Sequence, residues 1–121
     1  MQAPKDNLIM VMVTCTSEEE ALEISNLLVQ RRLGACVNII PVRSIYEWKG
    51  RLEDQQERLL IIKTQKERFD ELRQTIKSAH SYDIPEIIAV DISLSSPEYA
   101  EWVKSCVSKE DNSQFPKGNG K

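Results

Sequence analysis

A chain of 121 residues with 40% hydrophobic and 29% charged side chains has the size of one domain whose core needs neither disulfides nor a metal staple. Its 16 basic and 19 acidic side chains leave a net charge of −3, which argues against the clustered positive surface on which nucleic-acid affinity rests. No apolar run approaches the roughly 20 residues that cross a bilayer, and no signal-peptide core is present, so membrane insertion is not expected.

Residues 1–7 read as a flexible lead-in. The run at 8–13 (Leu-Ile-Met-Val-Met-Val) suits a central strand buried on both faces, closed by Thr14-Cys15-Thr16. Ser17 and Glu20 then form a capping box, with Glu18, Glu19 and Glu20 at the positive end of a helix dipole and Arg31 and Arg32 at the negative end. Ala21, Ile24, Leu27 and Leu28 give that helix its apolar stripe, and Gly34 is expected to stop it in a left-handed conformation.

From 34 to 64 two β-type runs meet at Lys49-Gly50, a pair that supplies the positive φ of a tight turn, so the stretch reads as one long hairpin. Each arm of about a dozen residues spans about 40 Å, whereas a helix of about 15 residues covers about 22 Å. The hairpin therefore outruns its helices, carrying Ile45, Tyr46, Trp48 and Leu52 near its tip, and a second copy of the chain is the simplest partner. Pro41 cannot donate to a ladder, which predicts an edge strand with a kink or bulge there.

Thr64 and Glu67 read as a second capping box opening a helix on Phe69, Leu72, Ile76 and Ala79 that ends near His80. A loop at 81–85 leads to a last strand at 86–92, and Ser96 caps a third helix with Pro97 at its first position and Tyr99, Trp102, Val103 and Cys106 on its stripe. From 109 to 121 the composition predicts a disordered tail, leaving 8–108 as the domain. The order β-α-β-β-α-β plus a C-terminal helix is the α+β, split-βαβ, ferredoxin-like arrangement, with helices on one face of an antiparallel sheet and the other face in need of a cover.

Three scattered cysteines without a C-x-x-C pair read as reduced thiols, which places the protein in the cytoplasm. With an uninterrupted register about Lys49-Gly50, Cys36 opposes Lys63, and His80 would bring an imidazole to the same thiol and amine; such donors suit zinc or copper, Cu(I) above all. The plainer alternative makes Cys36 a small buried hydrophobe and His80 a helix C-terminal cation. Cys15, just before a helix N-terminus, is either a thiol of lowered pKa that can hold a metal or a packed strand end. Cys106 belongs to the core stripe.

Glu47, Glu53, Asp54 and Glu57 near the tip are either a cation site shared by several copies or a solvated edge that deters aggregation. Tyr46 and Trp48 share a strand face and read as interface anchors. The segment from His80 to Glu86 gathers an imidazole, the Tyr82 phenol and two carboxylates, a set able to hold a ligand, but no nucleophile elbow accompanies the single histidine, so no enzyme is expected.

The stretches Val13-Thr14-Cys15, Arg32-Leu33-Gly34-Ala35-Cys36-Val37-Asn38-Ile39-Ile40-Pro41, Ser44-Ile45-Tyr46-Glu47-Trp48-Lys49-Gly50, Ile62-Lys63-Thr64 and His80-Ser81-Tyr82-Asp83-Ile84-Pro85-Glu86-Ile87-Ile88 resemble the CutA family of divalent-cation tolerance proteins over about residues 8–107. That resemblance implies a homotrimer similar to the PII proteins, hairpin strands pairing between subunits, binding of copper and other divalent cations, and a role in metal tolerance. It also implies a cleft between subunits ringed by Cys36, Tyr46, Trp48, Glu57, Lys63, His80, Tyr82, Glu86 and Trp102. Two departures stand out: His80-Ser81-Tyr82 replaces the family's His-Pro-Tyr, and Leu94-Ser95-Ser96 replaces a glycine-containing turn.

The expectation is a non-enzymatic, homotrimeric copper-binding protein with ligands from Cys15, Cys36 and His80. Two alternatives stay open. One is a PII-like sensor of a small ligand, although neither Gly34 nor Gly50 opens a phosphate-cradling loop. The other is a trimeric scaffold that recruits a protein partner, as in animal relatives linked to acetylcholinesterase trafficking. An RNA-recognition domain shares the element order, but neither 8–13 nor 59–62 carries stacking aromatics.

Overall fold

The computed structural model describes residues 6–109, so the expectations for 1–5 and 110–121 lie outside it. The elements are β1 (Leu8–Cys15), α1 (Glu18–Gln30), β2 (Cys36–Trp48), β3 (Arg51–Gln65), a 3₁₀ turn (Lys66–Arg68), α2 (Phe69–Ala79), β4 (Ile87–Asp91) and α3 (Pro97–Val107). The sheet is antiparallel in the order β2-β3-β1-β4, the α+β ferredoxin-like fold that the element order predicts.

Lys49 and Gly50 both have positive φ, 52° and 79°, the combination a type I′ turn demands, and its twist matches that of the strands it joins. From that turn the register runs unbroken from Trp48↔Arg51 to Cys36↔Lys63. β2 is an edge strand as expected, but the expected kink or bulge is absent, since Pro41 pairs in register with Arg58. A proline whose missing donor lies on the outer edge costs the ladder nothing. β1 covers β3 only between Arg58 and Gln65, so residues 42–48 and 51–57 project as a two-stranded ribbon roughly 20 Å long.

Ile9, Val11, Val13 and Cys15 point toward α1 and α2 and join Ile24, Leu28, Leu60, Ile62, Leu72 and Ile76 in the main core. Met10, Met12 and Thr14, on the other face, are only half-buried, so β1 alternates where burial on both faces was expected. Leu8 shares that second face, and there Ala100, Val103 and Val107 of α3 build a separate small core. The third helix therefore does not lie beside the first two, and its buried stripe is shifted from the expected one, leaving Tyr99, Trp102 and Cys106 half-buried.

Two caps differ from expectation. The left-handed residue after α1 is Arg32 at φ 59°, held there because its guanidinium donates to the carbonyls of Ser105 (2.8 Å) and Ser108 (3.1 Å). Gly34 serves close packing instead: a β-carbon at that position would stand 2.9 Å from Cγ2 of Ile62. Thr64 does not cap a helix either, since it lies within β3 and its buried hydroxyl donates to the Leu33 carbonyl at 2.7 Å. The Ser17 and Ser96 caps form as expected, accepting from Glu20 N and Tyr99 N.

Gly34→Ala should therefore destabilise the fold by about 1–3 kcal/mol through overpacking. Gly50→Ala, which meets only backbone strain in open space, should cost about 1 kcal/mol. Urea unfolding midpoints of the two variants check the ranking.

Candidate functional site

The end of β1, the start of α1 and the loop after α2 meet at one junction. β1 ends at Cys15 and Ser17 caps α1 two residues later, which is why the Cys15 thiol and the Glu20 carboxylate fall side by side. His80, the C-cap of α2, enters from the other side with its ring fully buried. The thiol sulfur, a Glu20 oxygen and a ring nitrogen of His80 lie within 4.8 Å of one another.

Hydrogen bonds hold this junction closed. Nδ1 of His80 accepts from Tyr82 N at 3.0 Å, which leaves the proton on Nε2, and Nε2 donates to the Thr14 carbonyl at 2.7 Å. The Glu20 carboxylate accepts from Thr16 N (2.9 Å), Thr16 Oγ1 (3.1 Å) and Ser81 N (2.8 Å). Burial alone would raise the Glu20 carboxyl, but these donors, with His80 nearby, outweigh it and hold Glu20 below its ordinary value. The Cys15 thiol is pushed up to about 12 by burial and then by the Glu20 and Glu57 charges. The helix N-terminus does not activate it: Cys15 is a protonated, packed thiol.

A second feature lies on the sheet face opposite α1 and α2. There Thr14, Ser44, Tyr46, Trp48 and Glu57, with Tyr82, Asp83, Ile84 and Glu86 from the loop, line a cleft of about 600 Å³. Its floor is the Glu57 carboxylate, 3% exposed, which accepts a 3.0 Å bond from the Tyr82 hydroxyl. The hydrogen bond with Tyr46, then burial, then Glu57 push the Tyr82 phenol far above its ordinary value, so it stays a neutral donor.

The structure thus divides the expected site residues. Cys15 and His80 meet at the junction, and Tyr46, Trp48, Glu57, Tyr82 and Glu86 meet in the cleft. Cys36, Lys63 and Trp102 do neither. Cys15 pairs with Arg58 and Cys36 with Lys63, roughly 17 Å apart along β3 and on opposite sheet faces, so within one chain His80 cannot join Cys36 as the sequence suggested. Lys63 instead donates to Asn38 Oδ1, and Trp102 packs against Tyr99 under α3, their rings 5.5 Å apart. Of the tip acids, Asp54 is engaged by Arg43 in a forked ion pair at 2.6 and 2.8 Å. The residue sequence reasoning missed is Glu20, read only as a cap; its adjacency to Cys15 across a strand-to-helix turn was the available signal.

A family model described as CutA1 divalent ion tolerance protein matches residues 9–106. The chain is 43% identical over 95 residues to the divalent-cation tolerance protein CutA of Thermus thermophilus, covering 78% of this chain and 92% of that one. It is 42% identical over 102 residues to protein CutA of Mus musculus, spanning 84% of this chain but 58% of the mouse protein. Among solved structures, the periplasmic divalent cation tolerance protein CutA from Archaeoglobus fulgidus superposes with a TM-score of 0.82 at 37% identity, over 84% of this chain and 99% of that one.

Two measurements probe the junction. With iodoacetamide at pH 8, Cys36 should be alkylated first in the folded protein, Cys106, whose thiol burial also pushes up, more slowly, and Cys15 only after unfolding, as peptide mass spectrometry reads directly. Because the Glu20 carboxyl is lowered on folding, its contribution is complete above its ordinary value of 4.5 and is lost as pH falls through the lower folded value. The stability gap between wild type and Glu20→Gln should therefore be widest at pH 7 and shrink toward pH 3.

Proposed function

Because the chain belongs to the CutA1 divalent ion tolerance protein family, we propose that it is a non-enzymatic ion-binding protein of metal tolerance whose ion is copper, working as a homotrimer in the cytoplasm. The observation that carries the copper reading is the convergence of a thiol, an imidazole and a carboxylate within 4.8 Å at the Cys15, His80 and Glu20 junction. Sulfur with nitrogen is a soft donor set, suited to Cu(I) and ill suited to magnesium or calcium.

The fit has conditions that the junction itself sets. Cys15 must release a proton that burial holds tightly, and His80 must give up either the Tyr82 N–H at Nδ1 or the Thr14 carbonyl at Nε2. Only an ion with high affinity for thiolate offsets those losses, and its uptake should strengthen as pH rises. Cys36 is not part of this set in one chain and contributes only if another copy brings a second donor to it.

The homotrimer rests on what one chain leaves uncovered. Ile40, Ile88 and Val90 are exposed on the face opposite the first two helices, Ile45 and Leu52 on the ribbon, and β2 is the outermost strand of the sheet among the described residues. A ribbon of this length lacking a third strand is marginal by itself, and pairing with copies of the same chain supplies both the edge and the apolar cover.

Native mass spectrometry of chelator-treated protein, with and without Cu(I) under reducing conditions, tests the whole reading. The expected result is a trimer that takes up a whole number of copper ions per subunit, with uptake lost in Cys15→Ser and reduced at least tenfold in His80→Gln. A trimer whose copper uptake is unchanged in Cys15→Ser would remove these ligands, and a monomer would remove the assembly.

A further inference from the structure

The cleft above Glu57 borders the Cys15 junction, but its chemistry differs. Tyr46 and Tyr82 contribute phenol rings, Trp48 an indole that is 47% exposed, and Ile45 and Ile84 aliphatic walls. The charges are lopsided: Glu57, Asp83 and Glu86 face one cation, Lys49. Lys49 already lies over the indole, its Nζ 5.8 Å from the ring centroid, so the aromatic face is oriented to receive positive charge.

These features select the ligand class. An anion would meet three carboxylates with a single lysine to offset them. A bare metal ion would need several ligand atoms drawn together, yet among the described residues the one convergent group of three donors is Cys15, Glu20 and His80, not the acids of the cleft. A neutral apolar molecule would cover a buried carboxylate, leaving it a charge with fewer partners. Tyr82 engages one Glu57 oxygen, Oε2, and an ionised carboxylate has about four acceptor positions in all.

We propose that the cleft between the hairpin and the 80–86 loop binds an organic ammonium ion, its alkyl groups against Trp48 and Tyr46 and its charge directed toward Glu57. Tyr82 is a positioning residue: its hydroxyl donates to Glu57 at 3.0 Å and holds the carboxylate facing the cleft. The incoming cation takes the place of the Lys49 ammonium over the indole, and Lys49, exposed at the turn, moves to solvent. The volume of about 600 Å³ suits a molecule of small-metabolite size. This site does not depend on the copper reading, and it requires that the cleft stay open in whatever assembly the chain forms.

Choline is the probe, with its uncharged carbon isostere 3,3-dimethylbutan-1-ol and potassium chloride at equal ionic strength as controls. The readout is the indole N–H resonance of Trp48, assigned with Trp48→Leu, on protein whose oligomeric state has been measured. Choline is expected to shift it saturably, the alcohol to bind at least about tenfold more weakly and potassium not at all. Glu57→Gln, which keeps an acceptor for Tyr82, should weaken choline about tenfold and leave the alcohol unchanged. Should Glu57→Gln not fold, choline binding to Trp48→Leu, a change at a half-exposed position, should weaken similarly when read by calorimetry. Equal binding of choline and the alcohol, wild-type affinity in the variants, or no saturable shift because another copy fills the cleft would each overturn the proposal. A protein that takes up copper at Cys15 but shows no choline response loses this site and keeps the metal reading.

Discussion

The pairing of β2 with β3 sets almost every other relation in the molecule, because cross-strand neighbours share a sheet face and a one-residue slip would exchange the faces of an entire strand. Lys49 and Gly50 adopt the two positive φ angles of a type I′ turn, and from there the ladder runs to Cys36↔Lys63 without interruption. That register puts Ile62 and Leu60 under α1 and α2, and it sends Glu57 and Tyr46 to the opposite face, where they meet Tyr82. It also carries Cys36 away from Cys15. The Cys15 junction and the cleft are consequences of one turn geometry carried through two strands.

A second constraint is His80. Its ring is buried where β1 ends, and both nitrogens are used, one by a backbone donor of its own loop and one by a backbone carbonyl of the strand. Glu20 ties the same loop to α1 through Ser81 N. The junction that offers a soft donor set is therefore also the clasp that fixes the 80–86 loop, and with it Tyr82 over Glu57. Any displacement of His80 or Glu20 acts on the placement of Tyr82, so the junction and the cleft share a mechanical link.

The two sheet faces are unequal, and the inequality indicates how the chain meets other molecules. One face is closed by α1 and α2 over a continuous apolar core. Among the described residues the other is closed only at one end, by α3 on Leu8 and Ala35, while Ile40, Ile88 and Val90 are exposed. A projecting ribbon with a free edge borders that open surface.

Local chemistry made much of this legible in the residues themselves. The Ser17 and Ser96 caps, the tight turn at Lys49-Gly50, the edge position of a strand containing Pro41 and the order of elements all follow from backbone preferences over a few positions, which a linear pattern records. The Cys36↔Lys63 pairing followed only on the condition of an uninterrupted register, which the kink expected at Pro41 would have broken and which the structure supplies. What the tertiary structure decided lay between distant elements. Thr64 looked like a cap until Leu33 O claimed its hydroxyl, Gly34 looked like a left-handed stop until Ile62 required its missing β-carbon, and Arg32 took the left-handed position because α3 offered its carbonyls. Cys15 read either as a thiol activated by a helix end or as a packed strand end, and burial beside Glu20 and Glu57, which keeps its proton on, decides for the second. Propensity is a property of neighbours in sequence, whereas desolvation and close packing depend on neighbours in space, and those exist only once the chain has folded.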